Sequence, residues 1–395
     1  MAEATQFKPD INLIKEVKRL GGSPLKNCYQ CATCSVVCSL APEDKPFPRK
    51  EMILAQWGQT EKLVKDPDIW MCYQCNDCTK HCPRDARPGD VLAAIRSYIY
   101  KHYSFPSFMG KALASPKALP VLVLVPILIL FGLMMAFAPD VAPADGVKDF
   151  LQTATVDYNI FLPHSSVDAL FVLGNILIFL FAAVGFVKFW RGLHVQGAQK
   201  KTSFISAAIA TLGEIIKHGR FFECETNRSR SWRHILLIIG FAGAAVATGS
   251  VFVFVFIPHY LTIWGLQSVE SFFHVPIDFP HPVKWIGIIG GTGLMVGGAL
   301  LIIRRWGNRD EVGANGYMDY FFLYVIFFTG LTGMLAWIMR VVGVPLVAYT
   351  TYFIHMVFVF MLLWYMPYSK FAHMIYRTLS LIYSKMIGRE AKVRI

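Results

Sequence analysis

Six apolar runs interrupt an otherwise polar chain, and all of them lie beyond residue 117. They cover about residues 118–138, 167–189, 234–257, 283–303, 317–339 and 346–366. Each is close to the ~20 residues that a helix needs to cross a bilayer. Before the first run the pattern is that of a small helical domain. Residues 10–20 read as a short helix that Asp10 caps and Gly21-Gly22 ends. Between the second and third runs, Ile205, Ala208, Ile209, Leu212, Ile215 and Ile216 recur at helical spacing within residues 202–222, with Lys217 and Arg220 at the end. That pattern predicts an amphipathic helix lying on a membrane surface. The expected fold is mainly α, in three parts: a domain over residues 1–117, a six-span bundle over 118–367 and a basic tail over 368–395.

Composition supports the spans. Of 395 residues, 55% are hydrophobic and 16% charged, against roughly 25% charged in an average soluble protein. A single soluble core does not hide so much apolar surface. The net charge of +12 would by itself suggest nucleic acid, but its placement argues otherwise. Lys and Arg gather in the loops after the second and fourth runs and in the tail. The loops after the first, third and fifth hold only Lys148 and Arg340. The positive-inside rule then places both ends of the chain in the cytoplasm, with Asp140, Asp145, Asp149 and Asp157 outside. The first residues lack the apolar run of a signal peptide. Cysteines ahead of the first span therefore face a reducing compartment and read as metal ligands, not disulfides.

Eight of the nine cysteines form two runs, Cys28-Tyr-Gln-Cys31-Ala-Thr-Cys34-Ser-Val-Val-Cys38 and Cys72-Tyr-Gln-Cys75-Asn-Asp-Cys78-Thr-Lys-His-Cys82. Both follow C-x2-C-x2-C-x3-C. Three thiolates at this spacing wrap one corner of a cubane, and the fourth ligand comes from elsewhere. In two-cluster ferredoxins the last cysteine of each run ligates the other cluster. The expected sets are Cys28, Cys31, Cys34 and Cys82 for one [4Fe–4S] cluster, and Cys72, Cys75, Cys78 and Cys38 for the second. Zinc favours two C-x2-C pairs divided by a longer loop. Pro83 follows Cys82, whereas Ser39 follows Cys38, where proline often stands. Cys224 is left without a role. Over about residues 10–105 this α-helical, ferredoxin-like domain resembles the small iron–sulfur subunit of heterodisulfide reductases, an electron-transfer subunit.

Histidines in or beside the spans are candidates for haem iron. His355 and His373 are 18 positions apart, about five turns and ~27 Å of rise if one helix continues through Pro367. That places them on one face at opposite membrane depths and suits two b-type haems, so that one or two haems b are expected. His234, at the inner end of the third run, pairs with His373 for the inner haem. Residues 165–375 look like the cytochrome b (gamma) subunit of respiratory nitrate reductase and the membrane subunit of heterodisulfide reductase. The residues that carry this are His355, Pro367-Tyr-Ser-Lys370, His373 and the run from Gly297 to Arg305. In that cytochrome pattern a second histidine follows the first by ten residues on the third of these spans. Here that position is Ala244. His164 is the substitute partner for His355, with His259, His274 and His281 as outer-loop candidates. The glycines from Gly287 to Gly298 provide either close helix packing or room for a porphyrin or isoprenoid tail. Lys284, beside His281 and Pro282, lies near the lysine of that family's quinone site.

No nucleotide-binding glycine loop is present, so flavin or nicotinamide chemistry belongs to other subunits. With eight cysteines used as ligands, the chain reads as a redox conduit without catalytic residues of its own. The fusion of the two modules resembles the family of C subunits in quinone-interacting membrane-bound oxidoreductase complexes of sulfate reducers. That resemblance implies a bacterial inner membrane, menaquinol as electron donor, two soluble flavin- and iron–sulfur-containing subunits (A and B) as partners, and adenylylsulfate reductase as electron destination. The alternatives are the membrane arm of another heterodisulfide reductase-like complex, and a haem-bearing anchor or redox sensor without turnover.

Overall fold

The computed structural model describes residues 8–137, 156–195, 197–218, 228–265, 276–307, 312–313 and 316–389. The fold is helical, with no strand among the described residues. Cys224 and His274 lie outside them, as do Asp140, Asp145 and Asp149.

The N-terminal part begins with α1 (Ile11–Val17), where the Asp10 side chain accepts hydrogen bonds from the backbone of Asn12 and Leu13. Short helices α2 (Thr33–Val36), α3 (Arg49–Gln56) and α4 (Asp77–Lys80) surround α5 (Pro88–Tyr103). α5 is the spine of this domain. Its Val91, Leu92, Ile95 and Ile99 are fully buried, as are Leu13 and Val17 of α1 and Met52 and Ala55 of α3.

Among the described residues, six helical segments are long and apolar enough to cross a membrane. They are α6 (Leu119–Phe137), α7 (His164–His194), the third span over Arg230–Ile263, α10 (Pro282–Gly307), α11 (Tyr317–Val342) and α12 (Pro345–Trp364). The third span contains α9 (Arg228–Val251) and a wide turn at Phe252–Phe256. That turn precedes Pro258, which has no N–H to give the preceding turn. All six agree with the apolar runs to within a few residues at most ends.

Between the second and third spans, α8 (Phe204–Lys217) is capped by Ser203. It buries Ala207 and Thr211 and exposes Ile205, Ile209, Leu212 and Ile216. This is the two-faced helix expected there.

One feature differs from the sequence reading. The sixth span does not run on through Pro367. α12 stops at Trp364, two short 3-10 turns follow at Met366–Tyr368 and Lys370–Ala372, and a new helix α13 (His373–Met386) begins at His373. His355 and His373 therefore do not share one helix face. Pro367 denies the helix a donor, and the break is pinned from both sides. Tyr365 donates to the Leu122 carbonyl at 2.8 Å and Tyr368 to the Phe105 carbonyl at 2.9 Å.

The basic tail packs on the cysteine domain. On α13, Tyr376 stacks on Trp70 with ring centroids 5.0 Å apart, and Leu381 packs with Leu40, Phe47 and Met71. Beyond α13, Arg389 pairs with buried Asp68 at 2.5 Å. One apolar core thus includes Leu13 and Ile95 of the cysteine domain, Phe189 of α7 and Tyr376 of α13.

Candidate electron-transfer site

The two cysteine runs share one backbone recipe. Cys28 and Cys72 are extended, at φ −76°, ψ 120° and φ −68°, ψ 125°. The residues two and four positions on are left-handed in both runs: Gln30 and Ala32 in the first, Gln74 and Asn76 in the second. Then comes one turn of helix, α2 or α4, carrying Cys34 or Cys78. The left-handed residues curl the chain so that successive Sγ atoms face inward.

Cys28, Cys31, Cys34 and Cys82 line one hollow; Cys38, Cys72, Cys75 and Cys78 line another. The last cysteine of each run lies with the other run's first three. Four sulfurs per hollow fit a cubane, and the sulfurs receive hydrogen bonds. The Gln74 N–H donates to Cys72 Sγ and the Ala86 N–H to Cys82 Sγ, each at 3.3 Å, and the Gln30 amide donates to Cys28 Sγ at 3.4 Å. Burial pushes the Cys34 thiol up to about 11 and the Cys78 thiol well above its ordinary value. Thiolates so placed need a cation, which iron supplies.

The surroundings of the two hollows differ. The second is covered by α13 and the third span. Arg377 of α13 stacks on Tyr73 at 3.4 Å, and Arg230 donates to the carbonyls of Tyr73 and Gln74, both at 3.2 Å. The first hollow opens outward: Cys31 is exposed, and Tyr29 beside it is 70% exposed with Arg84 over its ring at 4.1 Å.

His373 is held by the segment that breaks the helix. Its Nδ1 lies 2.6 Å from the Lys370 carbonyl, and Lys370 is ion-paired with Asp319 at the start of α11. Asp319 also accepts from the Gly316 N–H. A ring that donates from Nδ1 keeps Nε2 for a metal. Burial, together with the cations Lys370, Arg377 and Arg230, pushes its pKa down to about 3 and keeps the ring neutral. His234 lies one turn along the third span from Arg230, with its ring 6.2 Å from that of His218. Phe241 and Phe371, 5.0 Å apart, bring the third span and the segment before His373 together.

His355 lies in the middle of α12. Its Nδ1 is 3.3 Å from Thr332 Oγ1, whose proton goes to the Phe328 carbonyl, so the ring donates here too. A Cβ on Gly333 would sit 2.8 Å from the His355 ring, so the glycine makes room for it. Phe171 meets Phe360, and Gly174 lies against the Trp364 ring. The His164 ring faces Phe256, 5.2 Å away.

The Ala244 position is closed. Its backbone abuts Gly290, and a Cβ on Gly293 would fall 2.8 Å from Gly240 Cα. Gly287, Gly290, Gly293 and Gly297 of α10 thus pack closely against α9, where no porphyrin fits, whereas Gly291 and Gly298 meet Met334 and Phe327 of α11. Lys284 lies over the Trp337 ring at 5.4 Å, and His281 accepts from the Val283 N–H at 3.2 Å. His259 packs against Tyr260. The sequence reading did not single out Arg230, Arg377, Asp319, Thr332 or Gly333. Two of these stand one turn from a candidate histidine, a spacing the sequence does contain.

Comparison with known proteins bears on this geometry. A family model described as a 4Fe-4S dicluster domain matches residues 24–86. A protein of Archaeoglobus profundus that is like the C subunit of heterodisulfide reductase is 32% identical over 116 residues, covering 29% of this chain and 62% of that protein. The C subunit of the H(2):CoB-CoM heterodisulfide,ferredoxin reductase of Methanothermobacter marburgensis is 31% identical over 88 residues, covering 22% and 48%. The chain thus spans only about half to three fifths of the length of these two relatives. Citrate utilization protein B of Escherichia coli is 26% identical over 411 aligned residues, covering 96% of this chain and 94% of that protein. No solved structure matches. The chain carries a 4Fe-4S dicluster domain related to the C subunits of heterodisulfide reductases, joined to membrane helices in an arrangement similar from end to end to citrate utilization protein B.

Proposed function

We propose that this chain is the membrane arm of a quinone-dependent oxidoreductase complex, moving electrons between menaquinol and soluble flavin- and iron–sulfur-containing subunits. One observation carries the reading. His234 and His373 each stand one helical turn from an arginine, Arg230 and Arg377, and both arginines hold the Tyr73-Gln74 pair that follows Cys72. The candidate ligands of the inner haem and the rim of the second hollow therefore share one rigid set of side chains.

Haem b and cubane iron supply reversible one-electron carriage when bound. The chain's residues do the positioning. Cys28, Cys31, Cys34 and Cys82 hold one cluster and Cys38, Cys72, Cys75 and Cys78 the other. Lys370 and Asp319 orient His373, Thr332 and Gly333 orient His355, and His164 is the partner of His355. Lys284 marks the quinone end. Both termini face the cytoplasm of a bacterial inner membrane. Two haem sites at different depths let charge move across the membrane potential, ~2.3 kcal/mol per charge per 100 mV.

The resemblance to the membrane subunits of sulfate reducers supports adenylylsulfate reductase as the electron destination. The end-to-end likeness to citrate utilization protein B favours a second reading, in which the same membrane arm serves a different soluble partner.

Haem stoichiometry tests the proposal. A pyridine haemochrome assay on the purified chain should give two haems, and His355→Ala and His373→Ala should each lose one. A menaquinol analogue should reduce both. Wild-type chain with full iron and sulfide but no haem would sink the conduit. Haem that quinol does not reduce would leave an anchor or sensor.

A further inference from the structure

Among the described residues, Tyr29, Cys31, Arg49 and Arg84 of the first hollow's lining are exposed, and none of the residues lining the second is. The second is walled by α13 and by Arg230 of the third span. The first presents Cys31 at the surface, under a rim whose chemistry is that of a protein interface. Tyr29 is 70% exposed and Val36, two residues beyond Cys34, is 73% exposed. Arg84 stacks on Tyr29, and Arg49 donates to the Gln30 carbonyl at 3.1 Å. Exposed aromatic, aliphatic and arginine side chains in one patch are what binding surfaces enrich.

The patch is also rich in positive charge. Arg49 and Arg84 line the hollow beneath it, Lys26 precedes Cys28 by two residues, and Asp85 is the single carboxylate within residues 80–88. A second copy of this chain, itself +12, is a poor electrostatic match. An acidic protein face is a good one.

We infer that the Tyr29–Arg84 rim over the first hollow is the docking surface for the acidic face of a soluble one-electron redox protein. Electrons then pass between membrane and partner through the second hollow and then the first. The inference rests on the proposed function for its membrane end only. The exchange would make and break no bond and move no proton: the carrier would give up one electron, and a cluster held by Cys28, Cys31, Cys34 and Cys82 would accept it.

The probe is a reduced [2Fe–2S] ferredoxin with an acidic surface, mixed with oxidised, cluster-loaded full chain in detergent, and cluster bleaching is followed by stopped flow. Lys26→Glu/Arg84→Glu should slow the second-order rate about tenfold at low salt and flatten its dependence on ionic strength. Val36→Glu should also slow it. Reduced methyl viologen, small and cationic, should react with the double variant no more slowly than with wild type. An unchanged ferredoxin rate in the double variant overturns the inference. So does an equal loss from Lys15→Glu/Lys62→Glu, which adds the same charge elsewhere in the domain. Failure of the membrane reading shows separately: ferredoxin would still bleach the wild-type clusters at a rate sensitive to this rim, but no haem would follow.

Discussion

The two cysteine turns are twins in sequence and backbone, and they differ in what lies over them. In one, Cys31 is exposed and Tyr29 projects into solvent. In the other, Cys75, the counterpart of Cys31, is half-buried and Tyr73 is clasped by Arg377 and Arg230. The lesson is that a repeated motif supplies the ligand cage, while neighbouring elements assign each copy its position in a chain of carriers.

The largest effect should come from breaking the buried copy. Cys78→Ala is expected to remove the iron of the second cluster and to stop electron passage from quinol to any soluble acceptor, with the haem still reduced. Cys31→Ala should instead leave quinol reduction of the second cluster intact. Iron analysis and low-temperature EPR on the two variants check this. Equal loss in both would erase the distinction between the hollows.

Next in size is the seam that covers the second hollow. Trp70 is 2% exposed and stacks on Tyr376, so Trp70→Ala should cost about 3–5 kcal/mol. It should also open the 72–78 loop to proteolysis before the 28–34 loop. Denaturant unfolding and limited digestion measure both.

A finer probe is Arg377→Gln. It removes a cation from Tyr73 and should lower the reduction potential of the second cluster by on the order of tens of mV while leaving the first unchanged. A redox titration followed by EPR would show an equal shift in both clusters if this environment were not local.

The smallest effect belongs to the exposed side of the domain. Glu16 pairs with Arg19 at 2.7 Å and Lys101 at 2.8 Å, and the Arg19 hydrogen bond first of all holds its carboxyl down at about 2. A lowered folded-state pKa gives stability that is present above the ordinary carboxylate range. It is lost as the pH falls toward about 2, where the folded state also takes up the proton. Glu16→Gln should therefore cost under about 1 kcal/mol at neutral pH and flatten the acid limb of a stability-against-pH curve.

Much of the fold was legible because hydropathy is a property of single segments. The six spans and the two-faced helix around Ile205 and Ile209 need no knowledge of neighbours. The grouping of Cys82 with Cys28 was also legible, since a short turn leaves one corner of a cubane for a distant thiol. The break at Pro367 was not, because proline is tolerated in membrane helices when partners satisfy the freed groups. Only Leu122 and Phe105, far off in sequence, show which way the chain turns. The arginines beside His234 and His373 looked like inward-facing loop charge until Tyr73 appeared between them. Likewise Ala244 read as a missing ligand, whereas the α9–α10 seam shows a position where only a small residue fits.

The cover over the second hollow has a consequence for biogenesis. Leu381 completes the wall that Leu40, Phe47 and Met71 begin, and it is translated about 300 residues after Cys82. At the usual ~5–20 residues per second the ribosome takes roughly 15–60 s over that interval. During it all eight cysteines have been made while α13 does not yet exist. The assembly machinery thus has a window before the inner cage is covered, and the synthesis and docking of α13 shut it.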